Sequence, residues 1–264
     1  MLYPCLILAH IPTLVIALTL LIGTIFSYLG GVSLGRYQRR KHPEAKSEGV
    51  GPQEGALLGL LALLLSFTFG MSAARYDNRR NVIIKEVNTI EAAYLRTHMY
   101  PDSMRGEFKK DFRDYVEARI AYREAGIDET KIKETLDEAR KIFGRIWQRA
   151  AGFAQGAPTA IPHILVIPML NEMIDVVLTR EAARTARVPE NILWLLVILT
   201  LLGSSIIGYS KKEKKNDWII LSVYAFMTSI TVYTIIDLDR PRQGMITNDD
   251  SVQRIIELRH LFDE

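Results

Sequence analysis

The chain has 264 residues, a net charge of +3 at pH 7 and a single cysteine. A charge this close to balance gives no reason to expect nucleic acid. One cysteine cannot close an internal disulfide, and no Cys/His spacing suits a metal or redox site, so neither metal nor cofactor is expected. The apolar residues are concentrated, because residues 11–34, 55–74, 191–210 and 218–236 contain no Asp, Glu, Lys or Arg in a chain that is 24% charged. Each window is about as long as the ~20 residues that carry a helix across a bilayer core, where a central charge would cost about 2.5–3.5 kcal/mol. The expectation is an all-α, four-span integral membrane protein whose first partner is the lipid bilayer.

The first transmembrane helix is expected over 5–35, with Cys5 as an apolar residue at its start. No basic residue precedes it and no small-residue cleavage site follows, so it reads as a retained span and not a secretory signal. The second span covers 55–74. No Gly or Pro lies between Gly70 and Tyr100, and Ile83, Val87, Ile90 and Tyr94 recur at helical spacing, which predicts one helix continuing to about residue 98. Residues 75–188 then form a helical soluble domain between spans two and three.

Within that domain Asp102 or Ser103 is placed to cap a helix carrying Phe108, Phe112, Tyr115, Arg119 and Tyr122 on one face. Gly126 and Asp128 reset the chain. The next helix carries Ile132, Leu136, Ala139, Phe143, Ile146, Ala150 and Phe153, with a break expected from Gly152 to Pro158. Ile161 to Leu170 is apolar but too short to span, and it contains Pro162, His163 and Pro168, so a buried or interfacial helix is expected. Asn171 and Asp175 either line a vestibule or form a hydrated helix face. The third and fourth spans cover 191–210 and 218–236, and 237–264 is a C-terminal tail with a short amphipathic helix.

The basic residues bear on sidedness. Arg36, Arg39, Arg40 and Lys41 follow the first span, and Lys211, Lys212, Lys214 and Lys215 fill the loop between spans three and four. Counting these short loops places them in the cytoplasm and the helical domain outside. Arg75, Arg79, Arg80 and Lys85, with Arg180, Arg184 and Arg187, flank the opposite ends and argue the other way.

The second span has two faces of interest. Gly55, Gly59, Ala62, Ser66, Gly70 and Ala73 form a face without bulk, suited to close helix packing, within the chain or between copies. Leu58, Leu61, Leu65, Phe69, Ser72 and Tyr76 form another, and Leu61, Leu65 and Phe69 are the candidate pore constriction, since stacked apolar side chains can gate by dewetting. Lipid contact is the alternative for that face. Beyond the membrane, Arg75, Asp77, Arg79 and Arg80 end the second span, while Asp237, Asp239 and Arg240 end the fourth on the same side. They are candidates for juxtamembrane ion pairs or for an ion-selecting pore mouth.

The block LLGLLALLLSFTFGMSAARYDNRRNVIIKEVNTIEAAYLRTHM, with the later DLDRPRQGMI, resembles the bestrophin-like domain family of bacterial membrane proteins. The resemblance covers nearly the whole chain. It implies a link through architecture to bestrophins, which are homopentameric anion or cation channels with a pore-lining second span, an apolar neck and a cytoplasmic helical domain. The last implication opposes the short-loop charge count. No Walker loop, His-Glu-x-x-His or nucleophile elbow is present, so no catalytic residues are expected. The reading is a homo-oligomeric ion channel of the bacterial inner membrane, a pentamer by resemblance, passing small inorganic ions. The alternative is a non-conducting membrane sensor or scaffold whose helical domain binds a partner protein.

Overall fold

The structure is a computed structural model that describes residues 11–41, 52–156, 161–211, 218–240, 244–246 and 249–263. Cys5, Pro158, Lys212, Lys214, Lys215 and the side chain of His163 lie outside the described residues. The helices are α1 (Thr13–Lys41), α2 (Pro52–Thr97), α3 (Asp102–Glu124), α4 (Glu129–Gly156), α5 (Ile161–Thr185), α6 (Glu190–Ser210), α7 (Trp218–Asp239) and α8 (Asp249–Glu257), closed by a 3-10 helix at Leu258–Phe262. No strand occurs among the described residues. Four stretches are long and apolar enough to cross a membrane: Thr13–Lys41, Gly55–Thr97, Ile164–Ser210 and Trp218–Asp239. The protein is thus an all-α, four-span membrane protein. It divides into two compact units, residues 1–75 with 187–240, and residues 76–186 with 241–264.

The first unit contains α1, the start of α2, α6 and α7. Its buried positions recur at three and four: Ile16, Leu20, Thr24 and Tyr28 on α1, and Leu221, Ala225, Thr228 and Val232 on α7. Apolar side chains gain nothing by leaving lipid, so helices in a bilayer associate through close packing and interhelical hydrogen bonds. The α1 and α6 pair shows both. A Cβ built on Gly31 would strike the backbone of Ser205, one on Gly208 would strike the Tyr28 carbonyl, and one on Gly35 would lie 2.5 Å from the Tyr209 oxygen. Only glycine fits these three positions. The same seam holds two interhelical hydrogen bonds of 2.7 Å, from Ser27 Oγ to the Leu201 carbonyl and from Ser204 Oγ to the Thr24 carbonyl.

The second unit is built around the far half of α2, with α3, α4, α5, α8 and the 3-10 helix. Its core joins Ile90 and Tyr94 of α2 to Phe108, Phe112 and Val116 of α3, Ile142 and Ile146 of α4, and Val166 and Leu170 of α5. Edge-to-face rings recur, including Tyr94 with Phe262 at 4.9 Å and Tyr100 with Phe153 at 5.1 Å. The C-terminal tail belongs to this core: Ile255, Leu258 and Phe262 are buried in it, and Arg259 forms a bidentate pair with Glu117 at 2.7 Å.

One local expectation needs correction. The residue before α3 is Pro101, whose carbonyl accepts from Met104, and no side chain caps the helix. Asp102 is already helical, and its carboxylate meets Arg105 at 2.8 Å. Further on, α4 ends at Gly156, within the break expected from Gly152 to Pro158; Gly152 itself stays helical, since glycine weakens a helix without ending it when the flanks are packed. The buried or interfacial helix expected over Ile161 to Leu170 is present as α5, with Pro168 inside it; it runs on to Thr185 and buries Val166, Leu170, Met173 and Val176. The reset between α3 and α4 is as the spacing suggests. Gly126 takes φ +59°, and Asp128 Oδ1 accepts from the Thr130 and Lys131 amides at 3.0 and 3.1 Å.

Candidate functional site: the second span and its flanking charges

An α-helix repeats every 3.6 residues, so positions seven apart share a face and those two apart lie on nearly opposite sides. On α2 the buried positions are Leu61, Thr68 and Ser72, with Leu64 and Leu65 partly buried. Leu61 is only 3% exposed and sits with Leu196, Val232 and Ile235 in the core of the first unit, where Leu65 also packs. Phe69, at 42%, is exposed. The three residues expected to form a constriction therefore do not share one free line. Leu61 is taken into the core of its own chain, because its aliphatic side chain fills the space between α6 and α7.

The small-residue face points the other way. Gly55, Gly59, Ala62, Ser66 and Gly70 are all exposed. Among the described residues no atom lies within 4 Å of a Cβ built on Gly55, Gly59 or Gly70. Packing among the described residues does not account for this face. The close contacts that glycine permits occur at Gly31, Gly35 and Gly208 instead. Gly203 has a related role: a Cβ there would come within 2.8 Å of the Tyr224 hydroxyl, which reaches the Thr200 carbonyl at 3.1 Å.

The flanking charges separate into two groups. Asp239 and Arg240, each 5% exposed, are engaged inside the first unit. Asp239 Oδ2 accepts from the Val188 amide at 2.8 Å, just ahead of α6, and Arg240 Nη1 donates to the Ile11 carbonyl at 2.5 Å and reaches Thr13 Oγ1 at 3.4 Å. These two side chains tie the end of α7 to the starts of α6 and α1, which is a structural role. Asp237 is buried and accepts a hydrogen bond from Tyr233, one turn earlier, close to Arg240. On α2, Arg79 is buried, Arg75 is half-buried, and Asp77 and Arg80 are exposed.

A second charged group, in the helical domain, escaped the sequence reading. Glu86 on α2 is 2% exposed and accepts from Arg119 Nε of α3 and Arg180 Nη1 of α5, each at 2.5 Å. Both guanidinium carbons lie over the Tyr122 ring, at 4.6 and 5.0 Å from its centroid. The attraction of Glu86 outweighs desolvation and holds Arg119 above its ordinary pKa, while burial pushes the Tyr115 hydroxyl up to about 12. The available signal was an arginine within an aromatic stripe, which requires a buried carboxylate partner.

Similarity to known proteins fits this architecture. No curated protein matches the chain. Among solved structures, a single-substitution variant of a bacterial bestrophin homologue from Klebsiella pneumoniae superposes with a TM-score of 0.69 at 15% identity, over 96% of this chain and 97% of that one. A second variant of the same homologue gives 0.67 at 13% identity over 92% and 97%. The homologue solved by zinc phasing gives 0.65 at 11% over 92% and 97%. At such identities the likeness is one of fold. The family profile described as Bestrophin-like domain matches residues 14–247, and on that match the chain belongs to the Bestrophin-like family.

Proposed function

We propose that this protein assembles as a homo-oligomeric ion channel in the bacterial inner membrane, a pentamer by its resemblance to bestrophins, with α2 lining the path for small inorganic ions. One observation carries this reading. The first unit engages α2 on the side of Leu61, Thr68 and Ser72, whereas on the opposite side Gly59, Ala62, Ser66 and Gly70 are exposed, and among the described residues nothing lies within 4 Å of a Cβ built on Gly59 or Gly70. Bulky apolar residues suit lipid contact, whereas a stripe of small ones forgoes dispersion there and suits either close approach of a second helix or the lining of a passage. Copies of this face around an axis would give a lumen of low bulk, edged by Phe69. Phe69 is the remaining candidate for an apolar constriction, and Leu65 stands behind it, half-buried. Arg75, Asp77 and Arg80 are the candidates for the mouth.

The test is electrical. Purified protein inserted into a planar bilayer should pass small anions or cations, and Phe69→Ala should raise the current, since ions cross an apolar constriction only by shedding hydration. Intact oligomers that insert and carry no current would contradict the channel reading and leave a non-conducting sensor or scaffold.

A further inference from the structure

We infer that the helical domain holds a compact, uncharged, hydrocarbon-like molecule, of the size of a fused bicyclic ring, in a cavity between α3, α4 and α5. The cavity has a volume of about 240 Å³. Leu136, Ala139 and Phe143 of α4, with Ile174, Val177 and Leu178 of α5, form most of its wall, which is almost wholly apolar. Two arginines reach this wall without bringing a charge to it. Arg119 of α3 is 1% exposed, its Nε pairs with Glu86 and its Nη1 is closed to water, while Arg140 of α4 holds its guanidinium in solvent, 3.0 Å from Asp137.

The wall therefore decides the ligand. A buried water needs about two to four hydrogen-bond partners and finds too few on these side chains, and a polar or ionised guest loses its hydration without replacement. An apolar cavity of about 150 Å³ stays dry and holds benzene, so this one accepts a body about half as large again. It does not seat a partner helix, which is about 10–12 Å wide with its side chains. A hydrocarbon guest supplies the dispersion contacts that wall residues beside a void forgo, and it covers Ile174 and Leu178, which are 38% and 61% exposed. The site lies wholly within the helical domain. Its occupancy is independent of conduction.

The experiment uses the full chain in lipid nanodiscs and equilibrium dialysis in sealed cells, with radiolabelled indene and with benzimidazole, its isostere carrying two ring nitrogens. Empty nanodiscs of the same lipid measure partition into the bilayer. Above that background indene should saturate at one molecule per chain and bind about tenfold or more tighter than benzimidazole, whose nitrogens exchange water for a wall that cannot bond them. Ala139→Phe, which adds a ring to the cavity from the buried side of α4, should abolish the saturable component. No saturable indene binding, equal affinity for the two ligands, or undiminished binding by folded Ala139→Phe would each overturn the inference. The comparison of the two ligands is made on the unaltered chain, so a variant that fails to fold does not leave the question open.

Discussion

The two units solve packing with different residues because they work against different solvents. In the first, α1 and α6 meet where Gly31, Gly35 and Gly208 let backbone touch backbone, and serine hydroxyls bridge the helices. In the second, aromatic side chains from α2, α3 and α4 fill the core and a carboxylate binds two arginines out of water. Water drives the burial of large apolar surface, whereas lipid does not, so close van der Waals contact and satisfied hydroxyls take over in the membrane. The open face of α2 has the composition of the α1 and α6 seam without its contacts. That likeness is why we assign it to an assembly.

The contrast can be broken at its strongest points first. Glu86→Gln leaves two buried guanidiniums without a counter-charge and should lower the stability of the helical domain by about 3–5 kcal/mol, read as a shift in its denaturant midpoint. Gly31→Leu should be nearly as damaging, about 3 kcal/mol at the upper end of overpacking, because the obstacle is the Ser205 backbone and cannot rotate away. Gly59→Leu, made alongside, should leave the fold intact and weaken only the oligomer, measured by native mass spectrometry. Equal loss of folded protein in both glycine variants would mean that the two faces are alike after all.

A pH series sharpens the other half. The Tyr115 hydroxyl is raised from about 10 to about 12 by burial, so the neutral form is the one the fold favours. Its contribution is complete below about pH 10, where the unfolded tyrosine is also neutral, and it is lost as pH rises from about 10 towards 12, by roughly 2–3 kcal/mol in all. Denaturant midpoints should fall over that window in the wild type and fall less in Tyr115→Phe. Ser204→Ala should be the mildest change, about 0.6 kcal/mol, since interhelical hydrogen bonds in membranes average near that value.

The fold class was legible because bilayer thickness and the penalty on charge leave long uncharged windows that little else produces. The unbroken α2 followed from the absence of Gly and Pro after Gly70, and the faces of α3 and α4 followed from the period of their aromatic and aliphatic residues. Burial partners were not legible. Glycines on α1, α2 and α6 look alike in sequence, yet three of them meet backbone and those of α2 meet nothing among the described residues. Periodicity gives a face but not its neighbour, so Leu61 could be assigned to a lumen although it fills the gap between α6 and α7. Arg119 lay within a predicted core stripe, but its carboxylate comes from Glu86, 33 positions earlier, a pairing that no local spacing encodes. Sidedness divides for a related reason, because arginines and lysines flank the spans at both ends.

The central claim is that the open face of α2, and not the buried one, borders the ion path. The direct measurement is current through single-cysteine channels in a Cys5→Ser background, before and after a membrane-impermeant, charged thiol reagent. Ser66→Cys stands on the open face, and Thr68→Cys on the face turned into the first unit. The account predicts that the reagent changes the current through Ser66→Cys several-fold and leaves Thr68→Cys unaltered. A reagent effect at Thr68→Cys with none at Ser66→Cys would contradict it.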